Sequence, residues 1–225
     1  MTIVSHLAEA ERVQQLSLSR ARLPDWVEDA GNRIAGAFLL IALSPLLALI
    51  ALAIWRTDGA PLTYGHYRVG HRGRVFKCLK FRTMLRDAEG VLSDLLRTNP
   101  AARAEWERDQ KLANDPRVTG IGALLRRTSL DELPQLLNVV RGDMVLVGPR
   151  PITVQELTRY GRVRWHYLAV KPGMTGLWQV SGRNKTTYEE RVELDRTYVE
   201  SRSFQLNLRI LFRTVKVVAL RDGAV

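Results

Sequence analysis

The stretch IAGAFLLIALSPLLALIALAIW, residues 34–55, decides what kind of fold this chain can adopt. It runs for about 22 residues without a charge, which corresponds to about 33 Å of α-helix. The hydrocarbon core of a bilayer needs about 20 such residues. Arg33 and Arg56 close the two ends, where their guanidinium groups can reach lipid phosphates. The stretch therefore predicts a helix embedded in a membrane.

The pair Ser44-Pro45 lies in the middle of this stretch. Proline removes one backbone donor and clashes with the preceding turn, so we expect a kink at this point. A sharp break would return the chain to the face that it entered. Basic residues flank both sides of the stretch, which is compatible with two cytoplasmic ends. From these residues alone, a spanning helix and a re-entrant helix both stay open.

The composition indicates which partners the rest of the chain can have. The chain has 225 residues, of which 46% are hydrophobic, enough to bury a core. Its 34 Lys and Arg outnumber its 23 Asp and Glu, giving a net charge of +11, and the positive excess falls after Trp55. This balance indicates an anionic partner, namely nucleic acid, acidic lipid or a phosphorylated substrate. Cys78 is the only cysteine, which excludes an internal disulfide and suits a reducing compartment.

The sequence divides into three regions. Residues 1–33 form a polar lead-in with one short amphipathic helix predicted over residues 6–18, residues 34–55 form the membrane segment, and residues 56–225 carry the positive excess. A basic region beside a membrane segment is expected on the cytoplasmic face.

The first half of the basic region predicts strands and then helices. Residues 57–82 predict two strands joined by turns, because apolar and aromatic positions alternate around glycines. Residues 88–112 predict a charged helical segment that is interrupted at Asn99-Pro100. Residues 114–130 lead from a loop into a short helix, and a further helix follows Asp131.

The second half predicts loops rich in glycine and proline before a final helix. Residues 141–151 (RGDMVLVGPRP) predict a strand and a rigid loop, and residues 171–183 (KPGMTGLWQVSGR) predict a loop with one short strand. Residues 204–220 predict an amphipathic helix, with Phe212 on its apolar face and Arg213 on its basic face. This helix either packs on the core or lies in the plane of a membrane interface.

Two adjacent carboxylates, Asp131 and Glu132, are the first candidate for chemistry. They lie just before Pro134, a residue tolerated in the first turn of a helix. A helix N-terminus and the upstream Arg126 would both favour an ionised Asp131, which could attack phosphorus or hold Mg²⁺. The alternative is a capping box, because Ser129 and Glu132 have the required spacing.

Basic motifs elsewhere favour the chemical interpretation of this pair. Arg150 lies between two prolines, so its guanidinium has little freedom and suits bidentate binding of phosphate. Lys80 and Arg82 alternate at a predicted strand end and would share one side. Each motif alone is typical of a solvated basic face, but together they predict a pyrophosphate site. Gly-rich residues 172–184 add Arg183 and Asn184 as donors, whereas Trp178 is interpreted as core.

Three motifs together resemble one protein family: LKFRTM (79–84), TSLDELPQLLNVVRGDMVLVGPRP (128–151) and KPGMTGLWQVSGRN (171–184). They are similar to those of the bacterial polyprenyl-phosphate hexose-1-phosphate transferases, the small monotopic phosphoglycosyl transferases. Within that family, the chain most resembles the galactose-1-phosphate transferases of exopolysaccharide synthesis. The resemblance runs from about Arg33 to near the C-terminus, and it suggests a minimal catalytic unit without the extra membrane helices of larger members.

The resemblance implies a fold, a location and a reaction. The fold would be α+β, mainly helical and monotopic, with a re-entrant helix broken at Ser44-Pro45 and interfacial helices on a cytosolic domain over residues 56–225, at the bacterial inner membrane. Asp131 would attack a UDP-sugar and release UMP, and undecaprenyl phosphate would then take the sugar-phosphate from Asp131. Glu132 would be the acid–base partner, and Mg²⁺ would bind at Asp131. The implied substrate contacts are Lys80, Arg82, Arg126, Gln135, Arg150, Arg183 and Asn184.

Two other classes of function compete with this enzyme. A non-enzymatic basic module at the membrane would explain the charge but not the Asp-Glu pair beside the arginine motifs. Nucleic-acid binding would also explain the charge, but the sequence has no helix-turn-helix, zinc-finger or RNA-binding signature, so we expect no nucleic-acid partner. The sequence leaves open whether the chain forms a homo-oligomer and which hexose it uses, with galactose favoured over glucose by the resemblance alone.

Overall fold

The computed structural model describes residues 24–109, 112–182 and 186–219. The chain is mainly helical, with two small two-stranded sheets, so the predicted α+β class is confirmed. The helix predicted over residues 6–18 lies outside the described residues. The division of the chain at residues 33 and 55 stays a prediction.

A bent pair of helices forms the apolar segment. Helix α1 spans Asp25–Ala42 and helix α2 spans Ser44–Asp58, with an angle of 61° between them. The predicted break is therefore confirmed, and the Ser44 hydroxyl donates a hydrogen bond to the Ile41 carbonyl at 2.7 Å. Among the described helices, none alone is long and apolar enough to cross a membrane, whereas this pair together satisfies both criteria.

The two faces of the helix pair have different surroundings. Gly36 of α1 and Ile50 and Ile54 of α2 are buried against the rest of the chain. The opposite face exposes large apolar side chains, and Phe38 is 70% exposed. An uncovered apolar face of this kind marks a site of interaction with a membrane or another protein. The other exposed apolar side chains of the pair include Trp26, Ile34, Ile41, Leu49, Leu52 and Trp55.

An antiparallel hairpin follows the helix pair. Strands β1, Thr63–Val69, and β2, Val75–Phe81, are joined through a short 3-10 helix at His71–Gly73. The register places Tyr64 opposite Lys80. The two strands predicted over residues 57–82 are thus confirmed.

Four helices and a short turn come next. Helices α3 (Ala88–Thr98) and α4 (Pro100–Asp109) are separated at Asn99 as predicted. Helix α5, Gly120–Thr128, and helix α6, Gln135–Arg141, flank a 3-10 helix at Leu130–Glu132.

Two short parallel strands organise the C-terminal part. Strands β3, Val145–Val147, and β4, Gly173–Thr175, pair in parallel. Gly148 lies so close to Gly173 that a Cβ on Gly148 would meet the Gly173 backbone nitrogen at 2.7 Å, so only glycine fits where the two loops touch. The remaining helices are α7 (Val154–Arg159), α8 (Arg164–Leu168), α9 (Leu177–Val180), α10 (Tyr188–Ser201) and α11 (Phe204–Ala219).

Helix α11 is only partly covered by the core. Ile210 is buried in a cluster with Val147 and Tyr198, whereas Phe212 and Val215 are exposed. One face of α11 therefore packs on the core, as the first alternative predicted. The other face leaves apolar side chains uncovered, and the interfacial alternative stays a prediction for that face.

The end of α2 packs directly against the elements that flank the 3-10 helix. Ile54 forms a buried cluster with Phe81 of β2 and Leu125 of α5. Leu130 and Leu133, on either side of Asp131 and Glu132, pack against the same cluster. The apolar helix pair thus fixes the position of this turn.

The close packing of α1 on α6 gives a matched test of the fold. A methyl group on Gly36 would lie 2.9 Å from Cγ1 of Val139, whereas a methyl on Gly31 of the same helix would meet nothing within 4 Å. Since Ala is favoured over Gly within helices by about 1 kcal/mol, Gly31→Ala should raise the unfolding temperature in detergent. Gly36→Ala should lower it, because Val139 is fully buried and cannot move aside. Equal stabilisation by the two substitutions would contradict this packing.

Candidate active site

The adjacent carboxylates lie in the turn between α5 and α6. Ser129 ends α5 in the left-handed region, with φ of 55°, and this turns the chain into the 3-10 helix that carries Asp131 and Glu132. Asp131 is only 8% exposed, whereas Glu132 is half-buried. The two neighbours therefore have different surroundings and can take different roles.

Lys80 reaches both carboxylates from strand β2. Its Nζ donates to Oε1 of Glu132 at 2.6 Å and lies 3.7 Å from Oδ2 of Asp131. The structure thus brings together three of the predicted site residues, although Lys80 lies about 50 positions before the two carboxylates in the sequence. One ammonium group balances much of the charge of two carboxylates, and the cluster has an accessible side at Glu132.

Asn138 fixes strand β2 relative to the carboxylates. Its side-chain amide donates to the Lys77 carbonyl at 2.9 Å, and its Oδ1 accepts from the Leu79 N–H at 3.0 Å. Asn138 lies on α6, the helix that follows the carboxylates. Its two bonds therefore fix the position of β2, and with it Lys80, relative to Asp131 and Glu132. Asn138 was not among the residues that the sequence suggested, and no local pattern marks it for this role.

The pKa of Asp131 is shifted in the direction opposite to the one that the sequence predicted. Burial raises the pKa of Asp131 above its ordinary value, and the charge of Glu132 adds to this effect, while Lys80 and Arg126 act in the opposite direction. The sequence favoured a carboxyl held ionised by a helix end and by arginines. That expectation is wrong in its net direction, because tertiary burial outweighs the nearby positive charges.

The capping-box alternative is also wrong. The Ser129 side chain makes no capping hydrogen bond to the 3-10 helix, and the residue before α6 is Pro134, which cannot cap through a side chain. Asp131 and Glu132 therefore lie in this turn without the capping role that would explain them.

Arg82 does not join Lys80 at the carboxylates. Its guanidinium donates to the carbonyls of Asp58 and Gly59, at 2.8 and 2.7 Å, and the residue is buried. Strand β2 ends at Phe81, so the alternation that would place Lys80 and Arg82 on one side no longer applies. Arg82 therefore binds the end of α2 and does not contact the Asp131–Glu132 pair, called the dyad below.

The other predicted contacts occupy varied positions. Arg126 donates through Nε to Oγ1 of Thr83 at 2.9 Å, and Gln135 is buried at the start of α6. Arg150 follows β3 with its guanidinium 5.3 Å from the ring centroid of Trp178. The interpretation of Trp178 as core is confirmed, since it is 4% exposed. Arg183 and Asn184 lie outside the described residues.

A buried acid lies near Arg150 and was not among the residues that the sequence suggested. Asp195 of α10 is 2% exposed, and its Oδ2 accepts a hydrogen bond from the Tyr160 hydroxyl at 2.8 Å. Burial raises the pKa of Asp195 to about 7. A signal was available: Asp195 shares the buried face of α10 with Val192 and Val199, and an acidic residue on an apolar face indicates a specific role.

The donors around Asp131 and Glu132 suit a magnesium ion that also takes oxygen ligands from a substrate. No group of three or more His, Cys, Asp or Glu capable of holding a metal occurs in the described parts of the chain. Magnesium in phosphate-handling sites commonly binds one or two carboxylates together with substrate phosphates and water. Asp131 and Glu132 can supply those two carboxylates, so the residues fit a magnesium ion that arrives with a diphosphate.

A family model described as bacterial sugar transferase matches residues 24–221. The chain belongs to the bacterial sugar transferase family. The family resemblance carried by the three sequence motifs is thus confirmed.

Three relatives illustrate the similarity. The UDP-galactose-lipid carrier transferase of Erwinia amylovora is 55% identical over 192 residues, covering 85% of this chain and 40% of the relative. The undecaprenyl-phosphate galactose phosphotransferase of Salmonella typhimurium is 53% identical over 191 residues, with the same coverage. The exopolysaccharide production protein ExoY of Rhizobium meliloti is 49% identical over 191 residues, covering 85% of this chain and 84% of the relative. The chain thus spans less than half the length of the first two relatives.

The raised pKa of Asp195 predicts how stability of this sugar transferase depends on pH. Between about pH 4 and 7 the unfolded chain loses this proton while the folded protein keeps it, so raising the pH through this window favours unfolding. Asp195→Asn removes the titration and retains an acceptor for Tyr160. The unfolding temperature of the wild type should therefore fall more than that of the variant when the pH is raised from about 5 to about 8.

The control for this measurement is Asp94→Asn. Asp94 is exposed in α3 and pairs with Arg97 at 3.0 Å, so this variant should follow the pH dependence of the wild type. Parallel stability curves for the wild type and Asp195→Asn would show that Asp195 does not titrate in this window.

Proposed function

We propose that this protein transfers a hexose-1-phosphate from a UDP-hexose to undecaprenyl phosphate, with release of UMP, as the first membrane step of exopolysaccharide synthesis. The observation that carries the proposal is the cluster of Lys80, Asp131 and Glu132, with a buried carboxyl at its centre. The names of the galactose-specific relatives support galactose as the hexose.

In the first step, a carboxylate oxygen of Asp131 attacks the phosphorus that bears the sugar. A new P–O bond forms to Asp131, and the P–O bond to the nucleotide breaks, so that UMP leaves with the bonding electrons. Burial makes the Asp131 carboxylate more basic than an exposed one, and so more nucleophilic. Lys80, 3.7 Å from Oδ2, orients the carboxylate and offers positive charge to the phosphate.

In the second step, an oxygen of the lipid phosphate attacks the phosphorus of the acyl phosphate. The P–O bond to Asp131 breaks, and Asp131 is regenerated as a carboxylate beside Lys80. Glu132 accepts the proton of the lipid phosphate as the attack proceeds, a role that suits the more accessible of the two carboxylates. Because the steps are separate, the nucleotide and the lipid need not be bound together.

Magnesium fits this reaction as a proposed cofactor. When bound, it would neutralise charge on the diphosphate, and oxygens of Asp131 and Glu132 are the groups that would hold it. Lys80 would then remain as the cation that pairs with the carboxylates between turnovers.

The proposal places the protein in the bacterial inner membrane with the dyad facing the cytoplasm. The bent pair α1–α2 would enter the bilayer and return, which gives its exposed apolar side chains an apolar environment. Phe212 and Val215 of α11 would add interfacial contacts, with Arg213 beside anionic headgroups. Since the end of α2 packs against the dyad turn, this depth brings the nucleophile to the phosphate of the lipid.

Asp131→Asn tests the chemistry directly. With labelled UDP-galactose and no lipid, the wild-type protein should release UMP and carry a hexose phosphate on the peptide that contains Asp131, as seen by mass spectrometry. The Asn variant should form no adduct, because an amide cannot form an acyl phosphate. Glu132→Gln should still form the adduct slowly, since it keeps the nucleophile.

Asp94→Asn is a suitable control for a lost carboxylate, because Asp94 is exposed in α3 and pairs with Arg97 at 3.0 Å on the surface. It should form the adduct normally. An adduct on a different residue, or an active Asp131→Asn protein, would disprove the assignment of Asp131 as the nucleophile.

The membrane topology has its own test. Single cysteines at Asp25 and Thr57, which lie near the outer ends of α1 and α2 and are exposed, should both resist an impermeant thiol reagent in intact cells. Both should react after the cells are permeabilised. The wild type is the control, because its Cys78 is buried. Labelling of one introduced cysteine in intact cells would indicate a spanning helix instead.

A further inference from the structure

We propose that Arg150 and Arg191 form a two-guanidinium clamp for a phosphate group of a substrate, with the indole of Trp178 as their common support. This inference rests on the proposed function and names the part of the substrate that the site would hold. Arg191 was not among the residues that the sequence suggested.

Three separate elements build the clamp. Arg150 comes from the loop after β3, Trp178 from α9 and Arg191 from α10. The two guanidinium groups lie 5.3 and 4.2 Å from the centroid of the Trp178 ring. Because Trp178 is buried, it is a rigid platform, and stacking on it limits how the two planar groups can turn.

Within the described residues, no ion pair or side-chain hydrogen bond engages the guanidinium of Arg150 or Arg191. Their charges do act on a nearby carboxyl, because both arginines lower the pKa of Asp195. Burial and the nearby Arg150 both lower the pKa of Arg191, which is the sign expected for two like charges held together. Two half-buried cations that repel each other are stabilised when an anion binds near both of them.

The carboxyls near the clamp are already engaged. Glu156 pairs with Arg68 at 3.0 Å and accepts from the Thr153 N–H. Asp195 is buried and bound by the Tyr160 hydroxyl, and its raised pKa means that it carries a full negative charge only above about pH 7. The clamp is therefore open to an anion from outside the protein.

A phosphate group matches this arrangement better than a single carboxylate. Planar guanidinium forks bind phosphate oxygens in a bidentate manner, and two of them can share the charge of one phosphate. Both substrates of the proposed reaction, a nucleoside diphosphate sugar and a lipid phosphate, offer such a group.

Two sources can supply this phosphate: the nucleotide of the donor and the headgroup of the acceptor lipid. The test uses the purified full-length protein with Arg191→Gln and Arg191→Lys. Arg196→Gln is the control, because Arg196 lies on the same helix but pairs with Glu193 on the surface. Calorimetry measures the dissociation constant for UMP, and single-turnover assays measure adduct formation and its transfer to undecaprenyl phosphate.

Arg191→Gln should weaken UMP binding by about 10- to 100-fold, the range expected for a lost charge-assisted interaction. Arg191→Lys should lie between this variant and the wild type, because it keeps the charge but not the fork. Arg196→Gln should match the wild type. Adduct should still form in Arg191→Gln at saturating donor, because the nucleophile is intact.

The outcomes separate the clamp from the proposed function. Normal UMP binding with a raised KM for the lipid in Arg191→Gln would assign the clamp to the lipid phosphate. Normal affinity for both substrates in Arg191→Gln would overturn the clamp while leaving the transferase reaction intact. If Arg191→Gln does not fold, normal affinities in Arg191→Lys overturn it equally. A wild-type protein that forms no adduct would instead disprove the proposed function.

Discussion

The contact of one ammonium group with two neighbouring carboxylates is the interaction on which the candidate site depends. Lys80 lies 2.6 Å from Glu132 and 3.7 Å from Asp131. Without this cation, two adjacent acids, one of them buried, would repel each other with no positive charge in contact with either carboxylate. The hairpin, the turn after α5 and the amide of Asn138 all serve to bring this lysine to the carboxylates.

The same geometry links the apolar helix pair to the dyad. Ile54 packs on Phe81 and Leu125, and Arg82 binds the last carbonyls of α2. Strand β2 therefore contacts the dyad through Lys80. The next two residues, Phe81 and Arg82, contact the end of α2. In the proposed reaction, this connection would set the nucleophile at the depth of a lipid phosphate.

Local patterns predicted those features that depend on neighbours in the sequence. The break at Ser44-Pro45, the hairpin and the helix after the dyad follow from proline chemistry and periodicity, and the structure confirms them. The direction of the Asp131 pKa shift was predicted wrongly, because the burial that raises this pKa comes from residues distant in sequence. Arg82 was grouped with Lys80 because alternation was extended one residue past the end of the strand.

Residues that act through long-range contacts could not be read from the sequence. Asn138 looks like any polar residue of a short helix until its two bonds to β2 are seen. Arg191 looks like a surface arginine of a charged helix, and only the fold places it against Trp178. The motifs therefore indicated the chemistry, while the supporting residues required the structure.

The central claim is that the reaction passes through an intermediate held by the protein, and isotope exchange tests it most directly. The protein is incubated with unlabelled UDP-galactose and labelled UMP in the absence of lipid. If Asp131 carries the sugar-phosphate, the first step runs backwards and the label enters UDP-galactose, and Asp131→Asn abolishes this exchange. Absence of exchange in a preparation that transfers galactose phosphate to undecaprenyl phosphate would contradict the account.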